Sequence, residues 1–240
     1  MQLKRTTAVA VTALALLPAT ALAAEIVGGP GNERLRGTNA VDQIDGNGGN
    51  DRIFGRGADD RLTGGTGHDR IFGDVGNDTL RGGDARDRLF GGAGNDNAFG
   101  EDGNDRIVGG TGDDVQEGGA GNDVIFANPG VDTSRGGEGN DILWALARSD
   151  VQGPGVDQVG DTLDGGPGDD RFRTRDGEVD RITCGAGTDR ADLDPVDVIA
   201  DATAENPNGS CEHVERKTAK PRDSRSEDKQ ESPADARRQS

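Results

Sequence analysis

Residues 64–72 read Gly64-Gly65-Thr66-Gly67-His68-Asp69-Arg70-Ile71-Phe72, and the next nine, Gly73-Asp74-Val75-Gly76-Asn77-Asp78-Thr79-Leu80-Arg81, repeat the same skeleton. Glycine at positions one and four and aspartate at six recur without insertion or deletion from Gly28 to Trp144, thirteen units in one register. Position one is glycine in all but Ala127, and position four is alanine only at Ala40, Ala58 and Ala85. Position six runs Glu33, Asp42, Asp51, Asp60, Asp69, Asp78, Asp87, Asp96, Asp105, Asp114, Asp123, Asp132 and Asp141. So short and fixed a period dictates a stacked, quasi-one-dimensional architecture in which each unit touches chiefly its neighbours. It also sets one carboxylate at the same place in every unit.

With a large aliphatic at position eight, the pattern G-G-x-G-x-D-x-U-x resembles the hemolysin-type calcium-binding repeat (RTX) family. Gly64 to Phe72 match it at every defined position, and degenerate copies continue at Gly165 to Arg173 and Cys184 to Asp192. The resemblance implies an all-β fold, a right-handed parallel β-roll in which six residues turn, three form a short strand and two units complete a coil. It also implies multiple Ca2+ ions between same-side loops. The side chains it nominates are Asp42, Asp51, Asp60, Asp69, Asp78, Asp87, Asp96, Asp105, Asp114, Asp123, Asp132, Asp141 and Asp170. The loop backbone it nominates is that of Gly46, Gly64, Gly67, Gly73, Gly76, Gly82, Gly91, Gly94, Gly100, Gly103, Gly109, Gly112, Gly118, Gly121, Gly136 and Gly139. Elementary chemistry agrees, because calcium takes several hard oxygen ligands in flexible geometry and glycine permits the turns that aim carbonyls inward.

Composition alone describes something else. With 3% aromatic residues, a net charge of -18 and a mean hydropathy of -0.73, the chain reads as an acidic disordered linker. That reading leaves unexplained the aliphatic locked to position eight at Leu35, Ile44, Ile53, Leu62, Ile71, Leu80, Leu89, Ile107, Ile125 and Leu143. The disordered chain and the roll are best taken as two states of one protein, without and with calcium.

Residues 1–23 carry the parts of a secretory signal: Lys4 and Arg5, an apolar run from Ala8 to Leu17, and a small-residue end at Ala21-Leu22-Ala23. Its removal takes the net charge from -18 to -20. The expected organisation is therefore a signal peptide at 1–23, the roll at 28–144, degenerate repeats and a C-terminal cap at 145–215, and a disordered tail at 216–240 rich in charge, Ser and Pro. Cys184 and Cys211 are the only cysteines, and in a secreted, extracellular chain an even pair most simply forms a disulfide. No later stretch is long and apolar enough to span a membrane.

Sorting the units by an eighteen-residue coil separates two faces. On the first, position eight stays aliphatic from Leu35 to Leu143, and the outward positions carry Arg52, Arg70 and Arg88 beside Phe54, Phe72 and Phe90. This stripe is a candidate partner face, for an acidic cell-wall polysaccharide or a second copy of the chain, unless something covers it. On the second, position eight fades from Leu80 to Ala98, Gln116 and Ser134, which predicts shorter or bulged strands there. Residues 145–215 are expected to fold back over Val124, Phe126, Ile142 and Trp144 as a cap.

The function that follows is calcium binding without catalysis. The strong repeats commit their carboxylates to the metal pattern, and two histidines support no Ser/His/Asp or Cys/His set. The acidic balance argues against nucleic acid. The alternatives are a calcium-stabilised adhesion or polysaccharide-binding module, and a calcium-dependent polysaccharide lyase or epimerase.

Overall fold

The computed structural model describes residues 10–12, 22–145 and 160–217. Most of the expected signal segment, residues 146–159 with nearly all of the register break that follows Trp144, and nearly all of the tail lie outside the described residues. The fold is a parallel β-solenoid of two sheets, one of eleven strands and one of ten, with consecutive strands of the chain alternating between them. Neighbours within a sheet are therefore one coil apart, and Ile53 pairs with Ile71 and Ile71 with Leu89 in eighteen-residue register. The exception is Ala10–Thr12, which pairs antiparallel with Glu25–Val27.

Alternation along each strand turns position eight into the space between the sheets. Ile53, Ile71, Leu89 and Ile107 are fully buried there against Ile44, Leu62 and Leu80 of the opposite sheet. Each such side chain contributes about 1.5–3 kcal/mol by leaving water. From Arg52–Gly57 to Val115–Ala120 the strands are six residues long instead of the three expected, and Arg52–Gly57 and Arg61–Thr66, for example, run on through position three of the following unit. The glycine-rich turn is thereby reduced to a few residues at each edge of the roll.

Two expectations about the faces are corrected. The second face neither shortens nor bulges, since Asn97–Asp102, Val115–Ala120 and Thr133–Glu138 stay six residues long and pair in register. Its polar core residues are satisfied: the Ser134 hydroxyl donates to Gln116 Oε1 at 2.6 Å, and Gln116 Nε2 donates to the Phe126 carbonyl at 2.7 Å. The strands that shorten, Val124–Phe126 and Ile142–Trp144, lie on the aliphatic face. Nor do residues 160–217 fold back. Arg171–Arg173 extends the sheet beyond Ile142–Trp144, and Thr162–Pro167 extends the other beyond Thr133–Glu138. Arginines cover the aromatic residues instead, with Arg106 over Phe126 at 4.4 Å and Arg173 over Trp144 at 4.2 Å.

The outward phenylalanines are also enclosed. Phe54, Phe72 and Phe90 stack with centroids 5.0 and 4.9 Å apart, and all three are buried. Arg34 and Arg36 lie over Phe54. Of the candidate partner face, Arg52, Arg70 and Arg88 remain half-exposed while the rings do not.

Because Gln116 and Ser134 satisfy each other, removing one member is expected to cost more than removing both. Ser134→Ala alone should lower stability by about 1–3 kcal/mol, and Gln116→Leu combined with Ser134→Ala should recover part of that loss. Urea midpoints at saturating calcium read the difference.

Candidate metal centre

Each coil turns twice, and each turn ends on the position-six carboxylate. The backbone N–H of one such aspartate donates to Oδ1 of its counterpart in the next coil: Asp51 to Asp69, Asp69 to Asp87 and Asp87 to Asp105, all at 2.7 Å. An equivalent column on the opposite edge runs through Asp42, Asp60, Asp78, Asp96, Asp114 and Asp132. One carboxylate oxygen thus works as a structural acceptor. The other, Oδ2, is buried and meets no hydrogen-bond donor at Asp51 and at each position-six aspartate from Asp60 to Asp141.

Position-one glycines explain why that second oxygen is held in place. A Cβ on Gly46 would lie 2.5 Å from both Asp51 Oδ2 and the Gly64 carbonyl oxygen. On Gly37 it would lie 2.5 Å from Asp42 Oδ2 and 2.6 Å from the Gly55 carbonyl. A carboxylate oxygen and a carbonyl oxygen of the next coil therefore converge beside a glycine that has nothing to put between them. Position four is glycine for another reason. At Gly67, with φ +125°, a side chain would strike the Gly49 carbonyl of the preceding coil. Ala58 and Ala85 hold the same left-handed conformation at φ 70° and 76°, at a steric cost that glycine avoids.

The columns reach further than the repeat pattern, whose last nominated aspartate is Asp170. Asp132 donates to Asp161 and Asp141 to Asp170 across 29 residues rather than 18, and the ladder continues to Asp180 and Asp189. It closes where the Asp189 N–H donates to Glu212 Oε2 at 2.8 Å, next to the Cys184–Cys211 disulfide. At the other end Asp42 differs from its successors, because its Oδ2 accepts the Thr38 N–H and hydroxyl.

Sequence reasoning missed a second ladder, at position five. Here the N–H of a later coil donates to the side chain of an earlier one: His68 to Asn50 Oδ1, Asn122 to Asn104 Oδ1 and Asn140 to Asn122 Oδ1, at 2.7–2.8 Å. His68 keeps the chain going by accepting the Arg86 N–H at Nδ1. The signal was the Asn and Asp enrichment at a position the repeat pattern leaves undefined.

Two rungs depart from the rule. Ala127 carries a methyl group at position one, and beside Gly109 the group nearest after Asp114 Oδ2 is the Gln116 amide nitrogen, a donor rather than a carbonyl.

Electrostatics follow from burial. Desolvation is the largest cause along the buried rungs that shift, pushing Asp51, Asp78, Asp105 and Asp141 up to about 6, and Asp60, Asp96, Asp114, Asp123 and Asp170 up to about 7. Asp87 reaches about 8 and Asp132 about 9, with the carboxylates of adjacent coils adding to the effect. The ladder hydrogen bonds oppose it.

Among the described residues no group of three or more His, Cys, Asp and Glu side chains is placed to hold a metal. A cation here would depend on one orphaned carboxylate oxygen per rung together with backbone carbonyls. That is the hard-oxygen donor set calcium accepts and zinc does not favour.

The raised values fix opposite pH responses with and without calcium. An aspartate raised in the folded state stabilises the calcium-free roll fully below its unfolded value near 3.9. That stability is lost as pH climbs through 6 to 9. Calcium requires the ionised form, so its affinity should rise over the same window. Far-UV circular dichroism between pH 5 and 8.5 should show β signal falling with pH in chelator, and the calcium midpoint falling with pH in titrations.

A search of curated proteins returns no match. The model of the RTX calcium-binding nonapeptide repeat (4 copies) matches residues 27–62, 54–89, 81–116, 117–143 and 160–191. These segments cover more than half of the chain and carry both columns of orphaned carboxylate oxygens, and the protein belongs to this calcium-binding repeat family.

Proposed function

We propose that this is a secreted calcium-binding protein whose roll orders as it loads several ions between stacked loops, and that it is not a catalyst. The observation that carries the reading is the recurrence, rung after rung, of a buried Oδ2 without a donor beside the next coil's carbonyl. Carboxylates stacked at about 4.8 Å repel by roughly 1 kcal/mol per pair in water and more where water is excluded. A divalent ion removes that repulsion. Because it binds the ordered loops, its binding free energy becomes folding free energy.

Extracellular calcium modules work at dissociation constants of about 10⁻⁴ to 10⁻³ M. On this reading the chain stays unfolded in a low-calcium interior and orders outside. Secretion is supported by the signal-like pattern of residues 1–23 and by the Cys184–Cys211 bond, which belongs to an oxidising compartment. The non-catalytic reading is supported by the buried carboxylates of the thirteen repeats all being those of the ladder.

Ion count should follow the glycines. The coil pair joining the Gly109 and Ala127 loops is expected to hold no ion of its own, since the Gln116 amide nitrogen lies beside Asp114 Oδ2 at Gly109 and position one of the next coil is Ala127 in place of glycine. Calorimetric titration should show Ala127→Gly combined with Gln116→Leu gaining one ion, and Asp105→Asn losing at least one. The whole proposal fails if millimolar calcium produces no gain of β ellipticity in the mature chain.

A further inference from the structure

Along one edge of the ten-stranded sheet runs an open groove of about 660 Å³, lined by Arg34, Arg52, Arg70 and Arg88, with Arg86 and His68 beside them. The four strand arginines are direct ladder partners, Arg34 to Arg52, Arg52 to Arg70 and Arg70 to Arg88. Stacked like charges at about 4.8 Å oppose one another, so the file concentrates positive charge along this edge. On the other sheet the same position is mixed, reading Gln43, Arg61, Thr79, Asn97 and Val115, so the unbroken file is particular to this face. Beside the file, on the same side of the sheet, Phe54, Phe72 and Phe90 form a buried stack.

We propose that this groove binds an extended carboxylated polysaccharide, and that it does so in the calcium-loaded roll. The inference rests on the calcium reading above. A comb of guanidinium groups on a rigid sheet matches a linear chain bearing anions at regular intervals, because each planar fork can pair bidentately with a carboxylate. Nucleic acid fits less well, since the aromatic rings that would stack bases are buried and the chain is strongly acidic overall, at -18. Calcium enters directly. Glu33, Asp51 and Asp69 share the groove with the arginines, and their negative charge offsets the guanidinium groups until a cation neutralises it. Loading the ladder thus turns a zwitterionic groove into a cationic one.

The test uses a galacturonate hexamer, too short to gel with calcium, with maltohexaose and a thymidylate oligomer as comparators. Binding to the mature protein is followed by calorimetry, and folding by circular dichroism in the same samples. At saturating calcium the hexamer should bind, the neutral sugar should not, and added salt should weaken the interaction. Arg52→Ser combined with Arg88→Ser should reduce hexamer affinity at least tenfold while calcium-induced ellipticity and ion stoichiometry stay unchanged. A calcium-ordered protein that ignores the hexamer, binds it equally well in the variant, or prefers the thymidylate oligomer overturns this proposal alone. A chain that gains no β signal with calcium overturns the calcium reading and this one with it.

Discussion

Each position-six aspartate does two things with one side chain. Its Oδ1 accepts a backbone N–H from the preceding coil, which places the carboxylate inside the stack. Its Oδ2 is thereby carried into a buried position where the protein offers no donor. The hydrogen bond that builds the roll creates the electrostatic problem of the roll, and the two cannot be separated by substitution at another site. Everything else follows from that coupling: glycine at position one to leave the oxygen room, carbonyls turned toward it, and an aliphatic layer to hold the sheets together while the edges carry charge.

The stack is tied in both directions. Position six accepts from the coil before and position five, where it is Asn, Asp or His, from the coil after, so most turns are cross-linked to both neighbours by side chains as well as by backbone. This double ladder explains how a chain with 3% aromatic residues maintains strict register. Register is not left to the hydrophobic pattern alone, which would tolerate slippage where position eight becomes Ala98, Gln116 and Ser134.

Much of this was legible in the sequence because it is periodic. The nine-residue spacing implied the solenoid, the eighteen-residue coil implied the in-register pairing of Ile53 with Ile71, and the aspartates marked the columns. What was not legible depended on pairs that periodicity does not report. Gln116 and Ser134 looked like a failing core when each was taken singly, yet they satisfy each other. Phe54, Phe72 and Phe90 counted as outward by alternation, but stacking and overlying arginines bury them. The degenerate copies past Trp144 were legible, but not that they extend both sheets instead of folding back over the last coils.

A change of spacing after Asp132 shows what the architecture measures. Between Asp132 and Asp161 the chain spends 29 residues where the coils before spend 18 and the next spends 19, and the hydrogen bond that closes the step is 2.9 Å, close to those of its neighbours. The ladder counts coils and is indifferent to the length of chain between them. A gene encoding such a protein can acquire a segment between coils, or copy a pair of units, and the product re-enters register at the next aspartate. Length and inserted cargo are free to vary on this scaffold, while the rung itself is the heritable part.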